Sequence, residues 1–263
     1  MFKYLQIETT TFCNATCWFC PNNLVPKQHM PWELFTSVID STRGMGITYR
    51  PFGLGEPLVD PRIEQILSYI KQDPTAKIEI HTNGAPLSQK IEDKIVQYVD
   101  LVRFSIDGIT PKTFDESRGI SFDLTYHNAK RFIVKNRNID VEVRMINLPG
   151  TEDEQWKYLN YWNNIRPGCA LITELYEHPW TTQTESTHDP CTKCQDEAFV
   201  YIDGSVHPCP WDFDDREILG NVKEQSLIDI WKSHKFKQLR ERLLKGERDK
   251  YNLCSRCDAN FVI

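Results

Sequence analysis

Nine cysteines carry most of the chemistry available to this 263-residue chain. The first three read Cys13-Asn-Ala-Thr-Cys17-Trp-Phe-Cys20-Pro21. This spacing lets three thiolates converge from one irregular loop, and Pro21 discourages a helix at Cys20. Three ligands suit a metal site with one position open, and all-sulfur ligation favours iron–sulfur alongside zinc. Five more cysteines, Cys191, Cys194, Cys209, Cys254 and Cys257, lie towards the C-terminus. On spacing alone, Cys191-x2-Cys194 with Cys254-x2-Cys257 reads as a zinc ribbon. Cys169, beside Gly168, reads as a small buried residue. An odd count sits badly with a disulfide framework. No signal peptide opens the chain, and no apolar run approaches the roughly 20 residues of a membrane span. The expected compartment is therefore a reducing cytoplasm, where clustered cysteines bind metal or do redox chemistry.

These residues need a scaffold. Hydrophobic residues make up 40% of the chain, which excludes a disordered or fibrous protein. The net charge of −6 argues against general nucleic-acid binding. Strand-like stretches at 3–8, 47–52, 77–81, 101–106, 141–146 and 170–175 alternate with helical spacing at 32–43, 61–71, 88–99, 126–135 and 152–163. This alternation predicts a parallel α/β sheet, a partial (β/α)6 barrel with its reactive loops at the C-terminal strand ends. The pattern changes near residue 176. A polar stretch precedes a hairpin around Asp203-Gly204 and an amphipathic helix over 227–244, so we expect one domain over 1–176 and a second over 177–263.

With those elements in place, the motifs resemble the radical S-adenosylmethionine (SAM) superfamily. C-x3-C-x2-C with Phe19 before its last cysteine is followed, at successive strand ends, by Gly55-Glu56-Pro57, His81-Thr82-Asn83-Gly84 and Ser105-Ile106-Asp107-Gly108. The resemblance implies that Cys13, Cys17 and Cys20 hold a [4Fe–4S] cluster whose fourth iron is chelated by S-adenosylmethionine. Reductive cleavage would give a 5′-deoxyadenosyl radical that takes a hydrogen from the substrate. By the same resemblance Phe19, Gly55, Glu56, Asn83 and Ser105 are cofactor contacts, and Arg118 and Arg144 are candidates to pair its carboxylate.

The C-terminal cysteines resemble the auxiliary-cluster extension called SPASM. The chain ends six residues after Cys257, which suits the shortened twitch version with one cluster held by Cys191, Cys209, Cys254 and Cys257. Four cysteine ligands leave no iron open, so that cluster would transfer electrons. Cys194 is left over as a possible hydrogen-atom donor, a spare ligand or an idle thiol. His178, His188 and His207 read as loop or surface residues, and Trp211 and Asp212 as candidates for the substrate pocket. Lys232, Lys235, Lys237, Arg240, Arg242 and Lys245 form a basic face that is solvated or docks an acidic flavodoxin or ferredoxin, the expected one-electron donor.

In length and cysteine layout the chain resembles enzymes of the 2-deoxy-scyllo-inosamine dehydrogenase type, which implies oxidation of a secondary alcohol of a carbohydrate or aminocyclitol to a ketone. One alternative is radical epimerisation of a sugar, aminoglycoside or peptide residue, with Cys194 quenching the radical. Another is a peptide maturase, although only twelve residues precede Cys13. A third is a non-catalytic zinc or iron–sulfur protein.

Overall fold

A computed structural model describes residues 1–175 and 189–257. Strands β1 (Tyr4–Ile7), β2 (Thr48–Arg50), β3 (Lys77–Thr82), β4 (Leu101–Ser105), β5 (Asp140–Asn147) and β6 (Ala170–Glu174) are all parallel and lie side by side in chain order. A sheet without a reversal of strand order is singly wound, as in a barrel. Helices α1 (Trp32–Thr42), α2 (Ile63–Ile70), α3 (Gln89–Tyr98), α4 (Pro111–Arg118), α5 (Phe122–Lys135) and α6 (Gln155–Ile165) connect the strands.

Burial alternates along each strand because successive side chains face opposite sides. In β3, Ile78 and Ile80 are fully buried in the apolar core, whereas Glu79 and His81 face the other way. That second face carries a continuous charge ladder. Lys193 pairs with Glu197 (2.8 Å), Glu197 with Arg50 (2.5 Å), Arg50 with Glu79 (2.7 Å), Glu79 with Arg103 (2.7 Å), Arg103 with Glu142 (2.7 Å) and Glu142 with Arg144 (2.7 Å). Arg144 is thus the end of a structural ladder.

The C-terminal portion continues the same sheet. β7 (Glu197–Val200) runs parallel to β1, and β8 (Ser205–His207) and β9 (Gly220–Asn221) follow antiparallel. The expected hairpin forms, with Phe199 opposite His207. The 176/177 division, His178 and His188 lie outside the described residues.

Three local readings need correction. The helix over 227–244 is two helices, α7 (Leu227–Lys232) and α8 (His234–Leu244), because Ser233 ends the first and caps the second by accepting from the Phe236 N–H at 3.2 Å. α5 starts at Phe122 rather than Tyr126, since Ser121 accepts from the Leu124 N–H. α4 was not expected, although Thr110 caps it, Pro111 occupies its first turn and Gly119 ends it with φ +64°.

Candidate active site

The Cys13–Cys20 loop leaves β1 and hangs on the C-terminus of α4. Thr16 N–H donates to the Arg118 carbonyl (2.9 Å) and Trp18 N–H to the Ser117 carbonyl (3.3 Å). A β-carbon at Gly119 would collide with the Thr16 hydroxyl, so glycine is needed both for its backbone angle and for this approach. Gly55 has a similar role on the opposite side. Any side chain there would strike the Thr10 and Phe12 carbonyls, and its absence lets Glu56 N–H donate to the Phe12 carbonyl at 2.9 Å.

Glu56 is buried and its carboxylate is largely spent on the chain itself. Oε1 accepts from Leu58 N–H (3.0 Å) and the Thr82 hydroxyl (2.7 Å), and Oε2 from Asn83 N–H (2.7 Å). Burial raises its pKa and these donors oppose the rise. Glu56 therefore fixes the end of β3, and Asn83 reaches across to Asn14 in the cysteine loop, donating to its side-chain oxygen at 2.9 Å.

Arg118 is buried between Asp107 and the cysteines. Its Nε and Nη2 lie 2.7 and 2.5 Å from Asp107 Oδ2, and Nη1 lies 3.9 Å from Cys17 Sγ. Its guanidinium also sits over the Phe19 ring, 5.7 Å from the centroid. Asp107 further accepts from the Ile146 N–H at 2.7 Å. Sequence reading did not single out Asp107 as a partner, because it is eleven residues from Arg118 and on another element.

These side chains surround one cleft of about 410 Å³ at the C-terminal strand ends. Its lining brings Cys13, Cys17, Phe19, Cys20, Gly55, Glu56, Asn83, Ser105 and Arg118 together with Gln6, Phe52, His81, Ile146, Lys193 and Trp211. Arg144 pairs with Glu142 and stands beside Ser105 in register, one strand over.

The five C-terminal cysteines gather as well. Cys191, Cys194, Cys209, Cys254 and Cys257 line a second, apolar pocket with Pro208, Leu243 and Leu253, and Lys193 and Trp211 line both pockets. Cys194 is 1% exposed, burial pushes its thiol up to about 12, and it lines only the second pocket. Asp212, by contrast, is fully buried away from the cleft. It holds His207 Nδ1 at 2.7 Å and accepts from the Arg216 and Glu217 backbones, so His207 is a buried structural residue rather than a loop one. Arg240 is turned out of the expected basic face, stacking 4.2 Å over Trp231.

The donor sets fit iron–sulfur groups. None of the nine cysteines forms a disulfide, and burial raises the thiols of Cys13, Cys17, Cys20, Cys209 and Cys254, so bringing them together as thiolates requires a compensating cation. Among the described residues no three such side chains close on a single ion. In a cluster, each thiolate binds a different iron.

A family profile for the radical SAM superfamily matches residues 7–161, and one for the SPASM iron–sulfur cluster-binding domain matches residues 185–258. The chain belongs to the radical SAM superfamily, and its cofactors are S-adenosylmethionine and a [4Fe–4S] cluster, with auxiliary iron–sulfur in the SPASM portion. It is 25% identical to an S-adenosyl-L-methionine-dependent 2-deoxy-scyllo-inosamine dehydrogenase of Niallia circulans, over 98% of this chain and 93% of the relative. Its fold is that of BtrN in complex with AdoMet and 2-DOIA, at TM-score 0.71 and 20% identity over 98% of this chain and 94% of that one. It is also that of Streptococcus suis SuiB bound to precursor peptide SuiA, at TM-score 0.77 and 13% identity over 99% and 76% of the two chains. Among the described residues no helix is long and apolar enough to cross a membrane.

Proposed function

We propose that the protein oxidises a secondary alcohol of a carbohydrate or aminocyclitol to a ketone. One observation carries this reading: Lys193 and Trp211 belong to the walls of both the cleft and the auxiliary cysteine pocket. A substrate in the cleft is then separated from an electron acceptor by little more than one side-chain layer. When bound, the cofactors supply hydrogen-atom abstraction from a carbon–hydrogen bond and take up the electron left behind.

The chain's own residues do the rest. Cys13, Cys17 and Cys20 hold the radical-generating cluster, with the Arg118 guanidinium beside Cys17 offsetting thiolate charge. Gly55, Glu56, Asn83, Ser105 and Phe19 shape the cleft where S-adenosylmethionine binds. Cys191, Cys209, Cys254 and Cys257 hold one closed auxiliary cluster, and Cys194 is not a ligand. Its burial in the auxiliary pocket favours oxidation over epimerisation, which needs a hydrogen donor open to the cleft. The protein works in the cytoplasm with a reduced flavodoxin or ferredoxin as electron donor. The named relative of Niallia circulans acts on 2-deoxy-scyllo-inosamine, and that compound heads the list of substrates to try.

The test is anaerobic reconstitution followed by turnover in D2O against aminocyclitols, aminoglycosides and short peptides. About eight irons per chain, 5′-deoxyadenosine and a ketone product are expected. Solvent deuterium in an otherwise unoxidised product would replace this reading with epimerisation. Zinc in place of iron would refute it.

A further inference from the structure

His81 lines the cleft, and nothing above uses it. Its Nε2 lies 2.9 Å from Arg103 Nη1. A guanidinium can only donate, so Nε2 is the acceptor and the ring proton is assigned to Nδ1. Phe52 lies flat against the ring, with centroids 4.1 Å apart and planes 20° from parallel, which fixes the direction of that N–H. Among the described residues Nδ1 has no hydrogen-bond partner. Burial, and after it the charges of Arg103, Arg144, Arg50 and Lys193, hold the imidazole well below its ordinary pKa. The neighbouring carboxylates of Glu79 and Glu142 are both bound to arginines. The ring therefore stays neutral with one N–H to offer.

We propose that His81 is the specificity-determining residue of the cleft, donating from Nδ1 to a hydroxyl oxygen of a polyhydroxylated ring while Phe52 and Arg103 hold the imidazole in place. This rests on the alcohol-oxidation reading and adds the group that is recognised. An ammonium cannot accept this hydrogen bond, and the positive charges of Arg103 and Arg144 that act on His81 would oppose it there. The position facing His81 is thus a hydroxyl rather than an amine. A site built to bond a hydroxyl discriminates against an analogue that lacks it, since its own donor is then left unpaired.

The test uses reconstituted protein at matched iron content, with 2-deoxy-scyllo-inosamine and analogues lacking or aminated at one hydroxyl at a time. Wild-type enzyme should prefer one particular hydroxyl by about tenfold or more in kcat/KM over the matching deoxy compound. His81→Phe, which can still pack on Phe52, should lose that preference, with a KM for the full substrate about tenfold higher and kcat less affected. His81→Gln keeps an acceptor for Arg103 and a donor for the substrate, and should restore most of the discrimination. Undiminished discrimination in His81→Phe, or a loss in His81→Gln equal to that in His81→Phe, overturns the assignment. A wild-type enzyme that oxidises none of these alcohols refutes the function reading itself, and the role of His81 with it.

Discussion

Replacing Glu8 by glutamine should remove a slope from the pH dependence of stability. Glu8 follows β1 and is 4% exposed. Its carboxylate accepts from the Leu54 N–H at 2.8 Å and is also bonded by the Ile202 backbone, which clamps the loop carrying Gly55 and Glu56 to the C-terminal hairpin. Burial raises its pKa from 4.5 to about 7, against the opposing pull of those two N–H groups and of His207. A carboxyl whose pKa is higher in the folded state holds its proton more tightly there. Its stabilisation is complete below about pH 4.5 and is lost as the pH rises through about 7. At about 1.4 kcal/mol per unit the whole shift corresponds to ~3 kcal/mol, of which ~1.4 kcal/mol falls between pH 6 and 8.5. Glutamine keeps a carbonyl for the Leu54 N–H and cannot ionise. Thermal unfolding of the reconstituted proteins at the two pH values, followed by circular dichroism, should show the stability of Glu8→Gln relative to wild type growing by ~1.4 kcal/mol at the higher pH, or about 3–5 °C in Tm. Parallel pH profiles for the two proteins would refute the reasoning, because the carboxyl would then not be protonated preferentially in the fold.

Other variants test the site. Asp107→Ala leaves Arg118 as a buried, unpaired charge and should cost ~3–5 kcal/mol in urea unfolding; a loss below about 1 kcal/mol would show that the pair is solvated. Cys17→Ala should abolish 5′-deoxyadenosine formation while about four irons per chain remain, as expected if the two cysteine sets hold separate clusters. Cys194→Ala should keep both iron content and turnover; loss of iron would make Cys194 a ligand, and loss of product with S-adenosylmethionine cleavage intact would favour a hydrogen donor. Thr82→Val removes the hydroxyl that bonds Glu56 and should destabilise by ~1–3 kcal/mol, with a higher KM for S-adenosylmethionine; an unchanged KM would separate Glu56 from cofactor binding.

The motifs of this site were legible because their chemistry is local. C-x3-C-x2-C lies within eight residues, and each of the three later fragments lies at the end of a strand or in the loop just after it. What could not be read is pairing across elements. Nothing in the spacing of Arg118 points to Asp107, and only the pairing of β3, β4 and β5 sets Arg103 between Glu79 and Glu142. His207 reads as a loop or surface residue in the sequence because its burial depends on Asp212 and Ser205 satisfying both ring nitrogens, at 2.7 and 2.8 Å. α4 escaped notice because its buried apolar content is little more than Phe114, so only its caps announce it. The break at Ser233 is the converse case. The apolar stripe runs on through it, and a side-chain cap decides the boundary.

The hairpin bears on why the auxiliary cysteines matter to the reaction. β7 lies against β1 over four residue pairs, Tyr4–Glu197 to Ile7–Val200, so the C-terminal portion is a continuation of the catalytic sheet. Cys191 and Lys193 lie just before β7, and Cys209 and Trp211 just after β8. The pairing with β1 thereby brings both ends of the hairpin to the cleft beside Gln6 and Phe52. Glu197 also closes the charge ladder by holding Arg50 and Lys193 at once. A displaced hairpin would take Glu197 from Arg50 and leave it only Glu79, so electrostatics resists separation of the two cysteine pockets. The charged side chains that line the cleft are engaged as well, Lys193 with Glu197, Arg118 with Asp107 and Glu56 with Thr82 and Asn83, and His81, Ser105 and Gln6 are among its remaining polar groups. Such a lining favours hydroxyl-rich, weakly charged ligands over strongly ionic ones, because a strongly ionic ligand would have to compete with ion pairs that are already made.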